Sequence, residues 1–148
     1  MTEEQWNKAI LDSGSDPDLV YAKSVFYNQT DEVIFGRFRA NFIERADELR
    51  FMPPLLFNAY LGYFTRYLTE HEHLDDDKPS LADCFTTLLE EKLADRVSFE
   101  DPLWHKCREA VTFLLQSPGE YTGDPDIYVN LPERLNRLEK TFSSGSTE

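Results

Sequence analysis

Between Pro53 and Glu70 the chain places Phe57, Tyr60, Leu61, Phe64, Tyr67 and Leu68 at intervals of three and four residues. Nothing else in the sequence restricts the fold as strongly. That spacing returns to one side of an α-helix at every turn, so it predicts a helix of about four turns with a broad apolar stripe. Large aromatic side chains at such positions belong to a core, and a stripe this wide must be covered by several other elements. Pro53-Pro54 supplies the start, since proline is tolerated in the first turn of a helix. Gly62, inside the stripe, costs about 1 kcal/mol relative to Ala, and a residue that small allows another helix to approach closely.

The remaining elements follow from caps and periodicity. Thr2 with Gln5 forms a capping box for a first helix carrying Trp6, Ala9 and Ile10 on one face, closed by Gly14. Asp16-Pro17 is a second start signal. The stretch DLVYAKSVFY after it predicts a helix, although Val20, Tyr21, Val25, Phe26 and Tyr27 leave a strand open. Thr30 or Asp31 caps a short helix with Val33, Ile34, Phe35 and Phe38, and RANFIERADELRF predicts a loop and a short helical turn. Ser80, with Asp83 three residues on, is expected to cap a helix bearing Leu81, Cys84, Phe85, Leu88, Leu89 and Leu93. Asp101-Pro102 opens another, with Leu103, Trp104, Cys107, Val111, Leu114 and Leu115 inward, ended by Ser117-Pro118-Gly119. GEYTGDPD predicts a turn-rich loop and IYV a short extended piece. Asn130 precedes a last helix that turns Leu135, Leu138 and Phe142 inward. The pattern is all-α: a single compact domain of five to seven helices over residues 1–142, with little or no sheet and a disordered tail at 143–148. A sheet would have to be built from residues 18–35.

A chain of 148 residues, 41% hydrophobic, is the size of one domain and buries about two-thirds of its unfolded surface. No apolar run is long enough to span a bilayer. The start, MTEEQWNKAILDSGSD, lacks the basic-then-apolar layout of a secretory signal, so the expected compartment is the cytoplasm and no membrane partner is expected. Cys84 and Cys107 each sit in a helical pattern without CxxC or a histidine at ligand spacing, which fits free, packed thiols.

Fifteen basic residues against 28 acidic ones give a net charge of −13. Such a potential repels phosphate backbones, which argues against direct nucleic-acid binding and suits a basic protein partner.

The acids are concentrated. EHEHLDDD, residues 70–77, holds Glu70, Glu72, Asp75, Asp76 and Asp77 with His71 and His73. On a helix two residues apart means about 200° apart, so the histidines cannot share a metal unless the chain has left the helix. HEH is not the HExxH of zinc peptidases, and DDDKPSLADCF lacks the glycine and terminal glutamate of a calcium loop. No metal site and no cofactor are expected. A solvated helix end and a docking surface both remain open. Negative charge beside His71 and His73 would raise their pKa and make binding pH-dependent. From Glu70 to Asp101 eleven acids face only Lys78, Lys92 and Arg96, a local charge of −8. The segment from Arg37 to Arg50 is slightly basic.

Catalytic signatures are absent. There is no GxSxG, no GxGxxG or GxxxxGK, and His105 follows Trp104 inside an amphipathic helix. Carboxylate pairs are unavoidable among 28 acids and carry no specificity. No catalytic residues are assigned and no enzymatic activity is expected.

At RADELRFMPPLLFNAYLGYFTRYLTEH the chain resembles a family of small uncharacterised bacterial helical domains, through Leu49, Phe51, Pro53, Phe57, Tyr60, Phe64 and Tyr67. It departs from them in Pro53-Pro54, where a single proline followed by an acid is usual. The resemblance implies an all-α bacterial protein and transfers no site residue. As a small, acidic domain without catalytic motifs it is also similar in kind to immunity proteins, which neutralise toxins exchanged between bacteria. That likeness implies a non-catalytic protein that binds a basic toxin or enzyme. Glu70, Glu72, Asp75, Asp76 and Asp77 are the expected partner-binding residues, with Glu90 and Glu91 as secondary contacts. The alternatives are an acidic nucleic-acid mimic that inhibits a DNA-handling complex and a scaffold or adaptor domain.

Overall fold

A computed structural model describes residues 1–117 and 120–144, which form eight α-helices and no strand. They are α1 (Glu3–Asp12), α2 (Pro17–Phe26), α3 (Asp31–Ala40), α4 (Phe42–Phe51), α5 (Pro54–Glu70), α6 (Lys78–Ala94), α7 (Asp101–Leu115) and α8 (Leu131–Ser143). Among the described residues no helix is long and apolar enough to cross a membrane.

The aromatic stripe makes α5 the centre of the molecule. Phe57, Tyr60, Leu61, Phe64, Tyr67 and Leu68 are all between 0 and 7% exposed, so none of them forms an outer face. α5 packs on α3, α4 and α7; α7 and α6 both pack on α8, and α6 also reaches α4. α1 lies on α2, which in turn touches α3 and α4. Ring contacts follow this layout. The Trp6 indole donates to the Tyr60 hydroxyl at 3.0 Å, and Phe26, Phe38, Phe64 and Phe85 continue the series with centroids 5.1 to 6.5 Å apart. On the other flank Phe57 meets Phe99, and Trp104 lies 4.3 Å from Phe142. Geometries of this kind add about 0.5–1.5 kcal/mol per pair beyond area burial.

Local signals act as expected at both ends of α1. Thr2 and Gln5 form the capping box, and Gly14, at φ +75°, ends the helix. Gly62 is overlaid by the Lys106 side chain of α7 at 3.6 Å from where a Cβ would stand. Both cysteines are free. Cys107 is fully buried, and that burial pushes its thiol up, out of reach of ordinary ionisation.

Five expectations are corrected. RANFIERADELRF is not a loop with a helical turn: it holds the end of α3 and the whole ten-residue α4, which raises the helix count to eight. Asn41 separates the two helices, and its side chain accepts from the Glu44 amide at 3.1 Å. Part of the inward face of α4 is charged rather than apolar. Arg45 and Glu48, 2% and 6% exposed, pair through two hydrogen bonds of 2.5 and 2.8 Å, and Arg45 also donates to the Arg37 carbonyl. Burial pushes the Glu48 carboxyl up against the pull of its arginine. Ser80 does not cap α6, which begins at Lys78 with Pro79 in its first turn. α7 begins at Asp101 with Glu100 as the cap position, and the Glu100 amide is held by the Asn58 side chain. IYV is not extended, because the Ile127 and Tyr128 amides both turn back to the Asp124 carbonyl. The tail expected at 143–148 is helical at Ser143, and its last four residues lie outside the described ones, as do Pro118 and Gly119 of the expected α7 stop.

Two cations tie distant helices together. The Lys92 ammonium, on α6, donates to the carbonyls of Arg50 and Met52 at 2.9 and 3.0 Å and lies over the Phe57 ring. It closes the C-terminal end of α4, where carbonyls lack helical partners. Arg134, on α8, binds Glu90, Asp83 and Thr87 of α6.

Candidate functional site: an acidic end built from two loops

α5 stops at Glu70, and His71 is already extended. The backbone thus leaves the helix within EHEHLDDD, the one circumstance in which HxH suits a metal. Its histidines are used otherwise. His71 packs on Phe35, with centroids 4.5 Å apart, and His73 packs edge-on against Tyr67. His73 Nε2–H donates to the Tyr67 carbonyl at 2.9 Å, closing the end of α5. Among the described residues no group of three or more His, Cys, Asp or Glu is placed to hold a metal. The expectation of a raised pKa is overturned for His73. Burial lowers it, outweighing its hydrogen bonds to the Leu68 and Tyr67 carbonyls.

The carboxylates of this segment point outward. Glu70, Glu72, Asp75, Asp76 and Asp77 are exposed, with Glu70 3.5 Å from Arg66 and Asp75 3.2 Å from Lys78. The three aspartates precede α6, whose positive dipole end favours negative charge nearby. Among them stands Leu74, 74% exposed.

Lys78 joins a second loop to this one. Its ammonium sits between Asp75 and Glu120, 3.2 and 3.3 Å away, and over the Tyr121 ring. Gly123 rests on the first turn of α6: an added Cβ would stand 2.6 Å from both Pro79 Cβ and Tyr128 Cδ2. The 120–130 segment thereby adds exposed Glu120, Asp124 and Asp126, with Ile127 69% exposed and Val129 58%. The two loops, joined at Lys78, thus carry seven acids, from Glu72 to Asp77 and from Glu120 to Asp126, against that one lysine, a net charge of −6. GEYTGDPD reads as a turn-rich loop, and nothing local shows that it folds onto residues forty positions earlier.

Glu90 and Glu91 lie elsewhere. They stand on α6 about 18 Å beyond Lys78, and each is engaged inside the molecule. Glu90 accepts from two nitrogens of Arg134 at 2.7 to 3.2 Å, and Glu91 accepts from Arg50 at 2.6 Å. His105 lies on the exposed face of α7.

No family model, no curated protein and no solved structure matches this chain.

Proposed function

We propose that this is a non-catalytic binding protein that blocks a basic protein partner through its acidic end, the role an immunity protein plays toward a bacterial toxin. Residues Glu70, Glu72, Asp75, Asp76 and Asp77 carry the contact, joined by Glu120, Asp124 and Asp126. The observation that supports this reading is the arrangement around Lys78: two loops clamped by one cation, presenting seven carboxylates with Leu74 and Ile127 standing free among them. An apolar anchor ringed by charge is the anatomy of a protein-binding surface. The anchor supplies affinity on desolvation, and the charges speed encounter and reject wrong partners. Glu90 and Glu91 drop out as contacts, since freeing either breaks an internal ion pair.

The test is a tagged pull-down from native lysate at low salt, with Asp75/Asp76/Asp77→Lys and Leu74→Ser variants beside the wild type. The wild type is expected to retain one dominant basic protein, weakly held by the Leu74 variant and lost by the charge-reversed one. Coexpression with that partner then has to suppress the partner's activity. A partner bound equally by all three baits overturns the site, and a retained partner whose activity is unaffected overturns the blocking role.

A further inference from the structure

Phe51 ends α4 with its side chain 53% exposed, and Leu55, in the first turn of α5, is equally exposed. Neither is isolated. With Ala9, Leu19 and Pro53 they line a largely apolar groove of about 440 Å³ between α1, α2 and the α4–α5 junction. Phe51 also lines a second cleft of about 210 Å³ between α2 and α4. Its other walls are Asp18, Tyr21, Glu44, Asp47 and Glu48. A single ring therefore divides an apolar groove from an acidic cleft.

The cleft is short of positive charge. Asp18, exposed in the first turn of α2, forms no ion pair among the described residues. Glu44 and Asp47 remain 46% and 50% exposed, and each shares its cation: Arg45 pairs with Glu44 and Glu48, and Arg50 with Asp47 and Glu91. Tyr21, 44% exposed, offers a second aromatic surface beside them.

We propose that these adjoining clefts form a second protein-docking site, which takes a segment of a partner protein carrying a large apolar side chain next to an arginine. The apolar side chain enters the groove against Leu55 and Leu19. The guanidinium enters the cleft, against Asp18 and Asp47 and over the rings of Phe51 and Tyr21. An apolar groove alone would accept many occupants; the neighbouring carboxylates decide among them. An acidic segment would set like charge against Glu44 and Asp47, and a neutral one would take water from Asp18 without supplying a counter-charge. Arginine suits the cleft better than lysine because its planar head pairs with two carboxylates and stacks on aromatic rings at once. The rim of the groove adds no competing free cation, since Lys8 is held by Asp12 at 2.8 Å.

This site lies at the start of α5, and the acidic end lies past its finish. Seventeen residues separate them by about 25 Å. The two surfaces can be occupied together.

Selection of a random displayed-peptide library on the whole protein tests this, followed by amide-shift mapping with the enriched peptides. Enriched sequences are expected to pair Arg with Leu, Ile, Met, Phe or Trp within one helical turn, and to shift the amides of Tyr21, Asp47, Phe51 and Leu55. Phe51→Ser and Asp18→Lys each weaken binding about tenfold or more, whereas Asp75/Asp76/Asp77→Lys leaves it unchanged. Phe51 and Asp18 are exposed, so folding is not at issue, and Leu55→Ser serves as an independent check. No enrichment, a consensus without the apolar–arginine pair, shifts confined to 72–78 and 120–128, or affinity retained by Phe51→Ser overturns the proposal. Self-association abolished by Phe51→Ser also overturns it, assigning the site to a second copy. Spermidine binding as tightly as the peptides would reduce it to a cation cleft.

Discussion

Arg134 grips Glu90 with two of its guanidinium nitrogens, and the same head reaches Asp83 and Thr87. One side chain on α8 thus fastens two turns of α6 in a site that is only 17% exposed at the arginine. Arg134→Ala is expected to lower unfolding stability by about 2–3 kcal/mol in urea, since charged hydrogen bonds at a partly desolvated site are lost together. A loss of a few tenths would mean that water replaces them freely.

The buried Arg45–Glu48 pair predicts a non-additive result. Arg45→Leu alone leaves a carboxylate buried without its partner and costs about 3–5 kcal/mol. Arg45→Leu/Glu48→Leu is expected to recover most of that loss. Denaturation of the two single variants and the double variant measures the difference, and additive losses would contradict the pairing.

Much of the fold was readable because its stripes are apolar and periodic. α1, α5, α7 and α8 each declare themselves through residues such as Trp6, Phe64, Cys107 and Leu135 at helical spacing. α4 escaped because part of its buried face is Arg45 and Glu48, and charged residues signal surface unless their partner is known. The candidate site was half visible. The acids of 70–77 are consecutive, whereas Glu120 and Asp124 join them through Lys78 and Gly123, contacts that only the folded chain creates. In the same way Glu90 and Glu91 look like free acids until Arg134 and Arg50 arrive from 44 and 41 residues away.

The two glycines beside these elements should respond in opposite directions. Gly62→Ala places a methyl in ordinary contact with Lys106 and is expected to stabilise by about 0.5–1 kcal/mol through helix propensity. Gly123→Ala meets Pro79 and Tyr128 at 2.6 Å with φ at +63°. It is expected to lift the 120–130 loop, visible as faster amide exchange there while α5 remains protected.

His73 gives a pH dependence with a defined sign. Its folded-state pKa lies below the ordinary 6.5, so the unfolded chain takes up the proton first as pH falls. The contribution is absent above about pH 6.5 and becomes destabilising as pH drops from there through the lowered folded value. The urea midpoint is expected to fall between pH 7.5 and about 5 more steeply in the wild type than in His73→Gln. Equal slopes would exclude His73 as the cause.

The fastenings of this molecule are long-range. Trp6 reaches Tyr60 across 54 positions, Lys92 reaches Arg50 across 42, and Asn58 reaches Ser98 across 40. As the chain is synthesised, the carbonyls that end α4 therefore wait for an ammonium encoded late in α6, and the first indole waits for α5. The early helices can form and touch as they emerge, but these three fastenings are missing until α5, α6 and the segment before α7 exist. A helical protein wired in this way folds more slowly than a bundle of neighbouring hairpins. Truncation before α6 is expected to leave collapsed helices without fixed packing, and the bundle to be completed as a whole rather than grown from its first half.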